Sequence, residues 1–239
     1  MRPHIKATLF AAILLHAALT SAAPIVLLQY TFPTAHGAGV ETGSGFNPTT
    51  VAAGIDALYN MAVRDTAGTI TIGTENPSPN YASQPVLRVD PDGSSSSLAQ
   101  AITNNKYFVF SFQPEDGYYL DLLRLDFNAA RGGSSTPRGW GLRSSADAYT
   151  TTLGNSDIGT QRATWTSYSV PLTAAYFDQV TDTLTFRIYV YSPANGSTIE
   201  FDDITIWGEV FELEVIPEPG TLSLLALGVL GLLRRRRRK

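Results

Sequence analysis

The chain has 239 residues, 44% of them apolar and 16% charged, and it contains no cysteine. That length allows a full hydrophobic core, and the missing cysteine excludes disulfides, thiolate metal sites, iron–sulfur clusters and a cysteine nucleophile. The net charge of −4 is an average: between residues 24 and 216 nine basic residues face 20 acidic ones, a net of −11, which leaves no electrostatic footprint for nucleic acid.

The N-terminus reads as a secretory signal peptide. Arg2 and Lys6 precede an apolar run over residues 7–19 and the small residues Thr20, Ser21, Ala22 and Ala23. Signal peptidase is expected to cut after Ala22, because a cut one residue later would place Pro24 next to the scissile bond. The expected division is therefore residues 1–22 as signal peptide, 23–216 as one domain and 217–239 as a C-terminal address.

Between the two ends, strand signals dominate. Residues 51–63 come nearest to a helix, but Gly54 interrupts them and leaves a loop with one turn as the alternative. Thr and Ile alternate over residues 69–72. The serines of residues 94–97 read as a loop. Phe108, Phe110 and Phe112 share a face, and Glu115, Asp116 and Gly117 read as a turn. Leu123, Leu125 and Phe127 share a face opposite Arg124 and Asp126. Trp140 and Leu142 alternate with Gly141 and Arg143, and Tyr168, Val170 and Leu172 form a further alternation. Leu184, Phe186, Ile188 and Val190 line another strand, and a return strand follows over residues 198–207. Asn195-Gly196 is a turn signal, so these last two strands are expected to pair as a hairpin. In the return strand Ile199 and Phe201 share one phase and Ile204 and Ile206 the other, which predicts a β-bulge at Asp202-Asp203. The fold class is all-β: a two-sheet antiparallel β-sandwich of the jelly-roll kind, with a signal peptide before it and an apolar helix after it.

At the C-terminus, Pro217, Glu218, Pro219 and Gly220 precede an apolar stretch over residues 221–233 and six basic residues, Arg234, Arg235, Arg236, Arg237, Arg238 and Lys239. A helix over 221–233 reaches only about 20 Å, short of the roughly 30 Å hydrocarbon core, while the basic block holds its end on the cytoplasmic side. This is the logic of a removable anchor. The three parts in this order resemble the PEP-CTERM sorting signal of exported bacterial proteins. The resemblance implies processing by an exosortase, a membrane protease, near the Pro-Glu-Pro motif. It also implies membrane association before processing, and a place in the cell envelope, on the cell surface or in the extracellular matrix afterwards. The stretches 138–145, 186–191 and 201–204 resemble, loosely, domains that precede such tails and are similar in outline to jelly-roll carbohydrate-binding modules.

Candidate chemistry is sparse. His36 is the one histidine beyond residue 23, so a serine triad or a histidine-based zinc site lacks its members. No catalytic residue, cofactor or metal site is assigned. Glu115, Asp116, Glu200, Asp202 and Asp203 offer carboxylates for glycoside cleavage, but no spacing picks an acid–base pair. Asp202 and Asp203 also offer oxygens of the kind calcium takes, with the alternative that the bulge turns both to water. The binding reading rests on Arg187, Tyr189 and Tyr191, which alternate opposite Phe186 and Ile188, with Trp207 expected beside them across the hairpin. Aromatic faces stack on sugar rings and Arg donates to hydroxyls; the competing reading is that both faces of the strand are covered and Tyr is there as a strand former. The leading expectation is a non-enzymatic envelope or matrix protein. The alternatives are an exopolysaccharide-binding module and, further off, a glycan hydrolase or lyase.

Overall fold

Short runs of alternating apolar and polar side chains, broken by Gly, Pro, Asn and Ser, make strands that bury one face and show the other. In the computed structural model the residues described are 23–32, 48–63, 69–74, 85–91, 93–132, 137–161, 164–194 and 196–213. In chain order they form β1 (Ile25–Tyr30), β2 (Thr50–Val51), β3 (Ile55–Val63), β4 (Thr69–Thr74), β5 (Pro85–Asp90), the helix α1 (Leu98–Thr103), β6 (Tyr107–Pro114), β7 (Tyr118–Arg131), β8 (Gly139–Ser144), β9 (Gly154–Asp157), β10 (Thr166–Pro171), β11 (Leu184–Tyr191) and β12 (Ile199–Glu212). One sheet has seven strands in the order β10-β7-β12-β1-β2, with β5 also on β12 and β4 beyond β5; the other has five, β3-β6-β11-β8-β9. The pairings are antiparallel throughout. The expected two-sheet sandwich is thus the observed fold.

The core lies where the two inner faces meet. Phe108, Phe110 and Phe112 of β6 and Phe186, Ile188 and Val190 of β11 pack against Leu125 and Phe127 of β7, Phe201, Ile204 and Ile206 of β12, and Leu28 and Tyr30 of β1. Phe110 and Phe186 stack at 5.7 Å and Phe108 meets Phe201 edge-on at 5.0 Å, geometries that add to the area each ring buries. The inward phases read for β6, β8, β10 and β11 are the ones observed. So is the bulge in β12: its register against β7 shifts between Asp202 and Thr205, and Asp203 takes a left-handed φ of 51°.

Three expectations are corrected. Residues 51–63 are not helical: Ala52 to Gly54 turn, with Gly54 at φ 81°, and β3 then pairs with β6. Leu123 does not share the inner face; it is 40% exposed while Leu122 is buried, because the register between β7 and β12 shifts at Trp207/Gly208. The serine run is a loop, as expected, and its last residue starts a helix that was not expected: Ser97 caps α1, accepting a hydrogen bond from the Gln100 backbone N–H. Finally, β11 and β12 are not a hairpin. Between Ser192 and Thr198 the chain crosses from the five-stranded to the seven-stranded sheet. The reason is burial. Phe186 and Ile188 face Phe201 and Ile204 across the core, whereas a hairpin would lay all four on one side of a single sheet.

One end of the sandwich holds a buried charged cluster. Glu200 is fully buried and accepts from Arg88 Nη2 at 2.9 Å, while Arg131 donates to the Thr160 carbonyl and Arg138 to the Thr198 carbonyl. Burial, reinforced by the Arg131 charge, pulls the Arg138 pKa down to about 10, against the opposing pull of Asp90 and Glu200. Gly132 is required beside it, since a Cβ there would run into the Thr198 side chain and sit 2.6 Å from Glu200 Oε1.

Residues 1–22 and 214–239, with the expected signal peptide, sorting motif, apolar helix and basic block, lie outside the described residues, as does His36. Among the described residues no helix is long and apolar enough to cross a membrane.

Candidate functional site

The residues named for sugar stacking do not form one face. Arg187, Tyr189 and Tyr191 do stand together on the outer face of the five-stranded sheet, but the two tyrosines are covered and Arg187 is half-buried. Tyr189 is 3% and Tyr191 6% exposed, and with Tyr107 and Ala101 they form a second apolar cluster packed by Leu98 and Ile102 of α1. The helix lies close on β8, where a Cβ on Gly141 would collide with the Leu98 side chain. Tyr107 and Tyr189 meet edge-on at 5.1 Å. The Arg187 guanidinium is held between the rings of Tyr149, at 3.5 Å, and Tyr107, at 4.6 Å. Burial works to lower the Arg187 pKa, but the Tyr189 hydroxyl and the surrounding rings outweigh it and keep the group firmly charged. Tyr191 donates to the Asp157 carboxylate, and burial followed by that contact pushes its pKa above the ordinary phenol value.

Trp207 lies on the other sheet, a consequence of the missing hairpin. It stands on the outer face of β12 opposite Arg124 of β7, whose guanidinium sits 4.6 Å above its ring. From there an open groove of about 480 Å³ runs across β12, β7 and β10, walled by Trp207, Thr205, Asp203, Asn128, Asp126 and Ser169. Its polar side chains brace one another from strand to strand. Ser169 donates to Asp126 Oδ1 at 2.6 Å and Arg124 Nε to Asp126 Oδ2 at 2.8 Å. Ser167 donates to Asn128 Oδ1 at 2.7 Å, and Asn128 Nδ2 donates to Asp203 Oδ2 at 3.2 Å. The alternation of β7 dictates this face: Arg124, Asp126 and Asn128 point out because Leu125 and Phe127 point in. The bulge sets Asp203 on the same side, with Thr205 Oγ1 donating to the Asp203 carbonyl at 3.0 Å.

The remaining carboxylates are dispersed. Glu115 and Asp116 sit on an exposed turn between sheets, and Glu200 is buried under Arg88. At the bulge Asp202 Oδ1 accepts from the Asp203 N–H, while Asp203 Oδ2 accepts from Asn128. The two carboxylates thus take different partners. Among the described residues no group of three or more His, Asp or Glu side chains gathers.

Sequence reasoning offered Trp207 and Asp203 as site residues; it placed Arg124 and Asp126 on an outer face without a role and did not pick out Asn128, Ser167 and Ser169. The signal was present as two polar alternations, 124-126-128 and 167-169. What it lacked was the pairing of Ser167 with Asn128 and of Ser169 with Asp126.

Comparison with known proteins adds the address. Residues 215–238 match the PEP-CTERM protein-sorting motif. That motif implies processing by an exosortase, export, and association with the surface or membrane. No curated protein matches the chain. Among solved structures, the xylan-binding domain CBM22-1 of Paenibacillus barcinonensis Xyn10C is 12% identical, with 78% of this chain and 96% of that one covered and a TM-score of 0.38. The Caldicellulosiruptor saccharolyticus CBM27-1 domain, solved with mannohexaose, is also 12% identical, covering 77% and 97% at a TM-score of 0.36. The arabinose-bound α-L-arabinofuranosidase MgGH51 is 13% identical at a TM-score of 0.40, and the chain spans 27% of its length. These are partial superpositions at low identity.

Proposed function

We propose that this chain is an exported surface or matrix protein that holds a polysaccharide in the groove on the outer face of its seven-stranded sheet, without cleaving it. In this reading residues 1–22 are removed on export, residues 23–216 form the binding domain and residues 217–239 are the sorting segment, presented to the exosortase. The observation that carries the binding role is the groove itself. It is open, about 480 Å³ in volume and set on a rigid sheet, with an indole at one wall and hydroxyl, amide and carboxylate groups along the rest. Sugars need this mixture, since their C–H faces stack on aromatic rings and their hydroxyls pair with fixed polar groups. The strand-to-strand hydrogen bonds hold those groups in place before a ligand arrives, so little side-chain entropy is lost on binding.

The test is affinity electrophoresis of the exported protein against the host's own exopolysaccharide and a panel of neutral, amino and acidic polysaccharides. Saturable retardation is expected, weakened about tenfold or more by Trp207→Ala, the loss that removal of about 1.4 kcal/mol of stacking produces. No retardation by any polymer, or an unchanged Trp207→Ala variant, overturns the reading and leaves a passive matrix component. Release of reducing sugar from a bound polymer would overturn the non-cleaving part alone.

A further inference from the structure

The groove's two carboxylates are not equivalent. Asp126 is saturated: one oxygen accepts from Ser169 and the other from the Arg124 guanidinium. Arg124 is in turn occupied, pairing with Asp126 while lying over the Trp207 ring. Asp203 accepts on Oδ2 from Asn128 at 3.2 Å, a neutral amide, and its Oδ1 accepts no hydrogen bond among the described residues. With Arg124 paired to Asp126, the groove therefore carries one excess negative charge, on Asp203, whose Oδ1 has acceptor capacity to spare. A carboxylate oxygen in that state is best matched by a cationic donor.

We propose that Asp203 makes the groove selective for glycans bearing a free, protonated amine, with neutral sugars second and uronic acids rejected. This rests on the reading of the groove as a glycan site and names the sugar class it takes. Trp207 stacks on the ring of the residue, while Asp203 Oδ1 accepts from the ammonium of an amino sugar. A uronate at the same position would put two carboxylates together with Arg124 already spent on Asp126. Like charges at close range discriminate as well, because an interface rejects by repulsion as effectively as it selects by attraction. Asp203 is held for this task by its surroundings: its own N–H is bonded to Asp202 Oδ1 at 2.8 Å and its carbonyl accepts from Thr205. Asparagine keeps the shape and tolerates the left-handed backbone there, so the charge is removable without disturbing the bulge.

The experiment measures binding of glucosamine oligosaccharides, their fully N-acetylated counterparts and polygalacturonate to the exported protein. Mildly acidic buffer at about 0.15 M salt keeps the amine protonated and screens the general acidity of the domain. Wild type is expected to bind the free-amine oligosaccharide roughly tenfold or more above the acetylated one, the gain a charge-assisted hydrogen bond supports, with polygalacturonate weakest. Asp203→Asn is expected to bring the first two to equal affinity, and Trp207→Ala to weaken both. Equal binding of amine and acetyl forms by wild type, with Trp207→Ala still weakening both, overturns the amine selectivity and leaves the glycan site standing. A preference that survives in Asp203→Asn assigns it to the domain's overall acidity and overturns the inference. If none of the three binds and the wider panel also fails, both readings fall together.

Discussion

The two outer faces of the sandwich are written in similar residues and have opposite fates. On the five-stranded sheet Tyr107, Tyr189 and Tyr191 are packed under a six-residue helix and almost withdrawn from water, with Arg187 half-buried against rings beside them. On the seven-stranded sheet Arg124 and Trp207 make the same kind of cation–aromatic contact, yet the face around them stays open as a groove. Arginine and aromatic side chains on a strand do not by themselves say binding. What decides is whether another element packs across them: α1 does so on one face and nothing among the described residues does so on the other.

If that contrast holds, the two faces should respond to mutation in different currencies. The largest effect belongs to the covered face. Tyr189→Ala is expected to cost about 3 kcal/mol of stability, in the range for removing a buried aromatic. That lowers Tm by roughly 6–12 °C in a domain of this size while leaving glycan affinity in the folded protein unchanged; a loss of affinity at constant Tm would reverse the assignment of faces. Trp207→Ala should do the opposite, weakening binding about tenfold with little change in Tm, as measured by calorimetry on the same sample. Ser169→Ala removes one brace from Asp126 and is expected to weaken binding only two- to fivefold, in line with about 0.5–1 kcal/mol for a neutral partner.

The smallest effect is a pH dependence beneath the covered face. Asp147 Oδ2 accepts from the Thr151 N–H at 2.8 Å and from Thr150 Oγ1 at 3.1 Å, closing the turn that carries Tyr149 onto Arg187. Burial works to raise the Asp147 pKa, but the Thr151 and Thr150 hydrogen bonds outweigh it and hold the carboxyl below its ordinary value. A depressed acid contributes stability that is fully present above the ordinary carboxylate pKa of about 4 and is lost as pH falls through the folded-state value. Asp147→Asn should therefore lower Tm slightly at pH 7 and by less at pH 2. An equal decrement at both would assign the effect to shape instead of charge.

The contrast also marks how far the sequence could be read. The inward phases of β6, β8, β10 and β11 were legible because a strand with one buried face must alternate, and the bulge was legible because the phase of β12 slips at Asp202-Asp203. Pairing was not. Asn195-Gly196 favours a hairpin locally, but burying Phe186 against Phe201 favours a crossing, and the tertiary term won. That single choice carried Trp207 from one face to the other. The helix over the tyrosines was missed although Ser97 and Gln100, three apart, form the pattern of a capped N-terminus. The groove spans three strands that lie far apart in the chain, so its outward positions could be seen but not their meeting.

β12 has one more property. It supplies Asp203, Thr205 and Trp207 to the groove, and five residues past Trp207 it ends at Glu212, shortly before the sorting motif. A polymer gripped at Trp207 and an anchor pulling on the C-terminal end would load this one strand over about 17 Å. Over that length it is bonded to β7, and as far as Gly208 its other edge is bonded to β1. The tension runs along the ladder, so its hydrogen bonds share the load in shear instead of parting one at a time. If the groove holds a polymer as proposed, this strand would also be the mechanical link between that polymer and the cell, and its position at the middle of the larger sheet suits it to bear force.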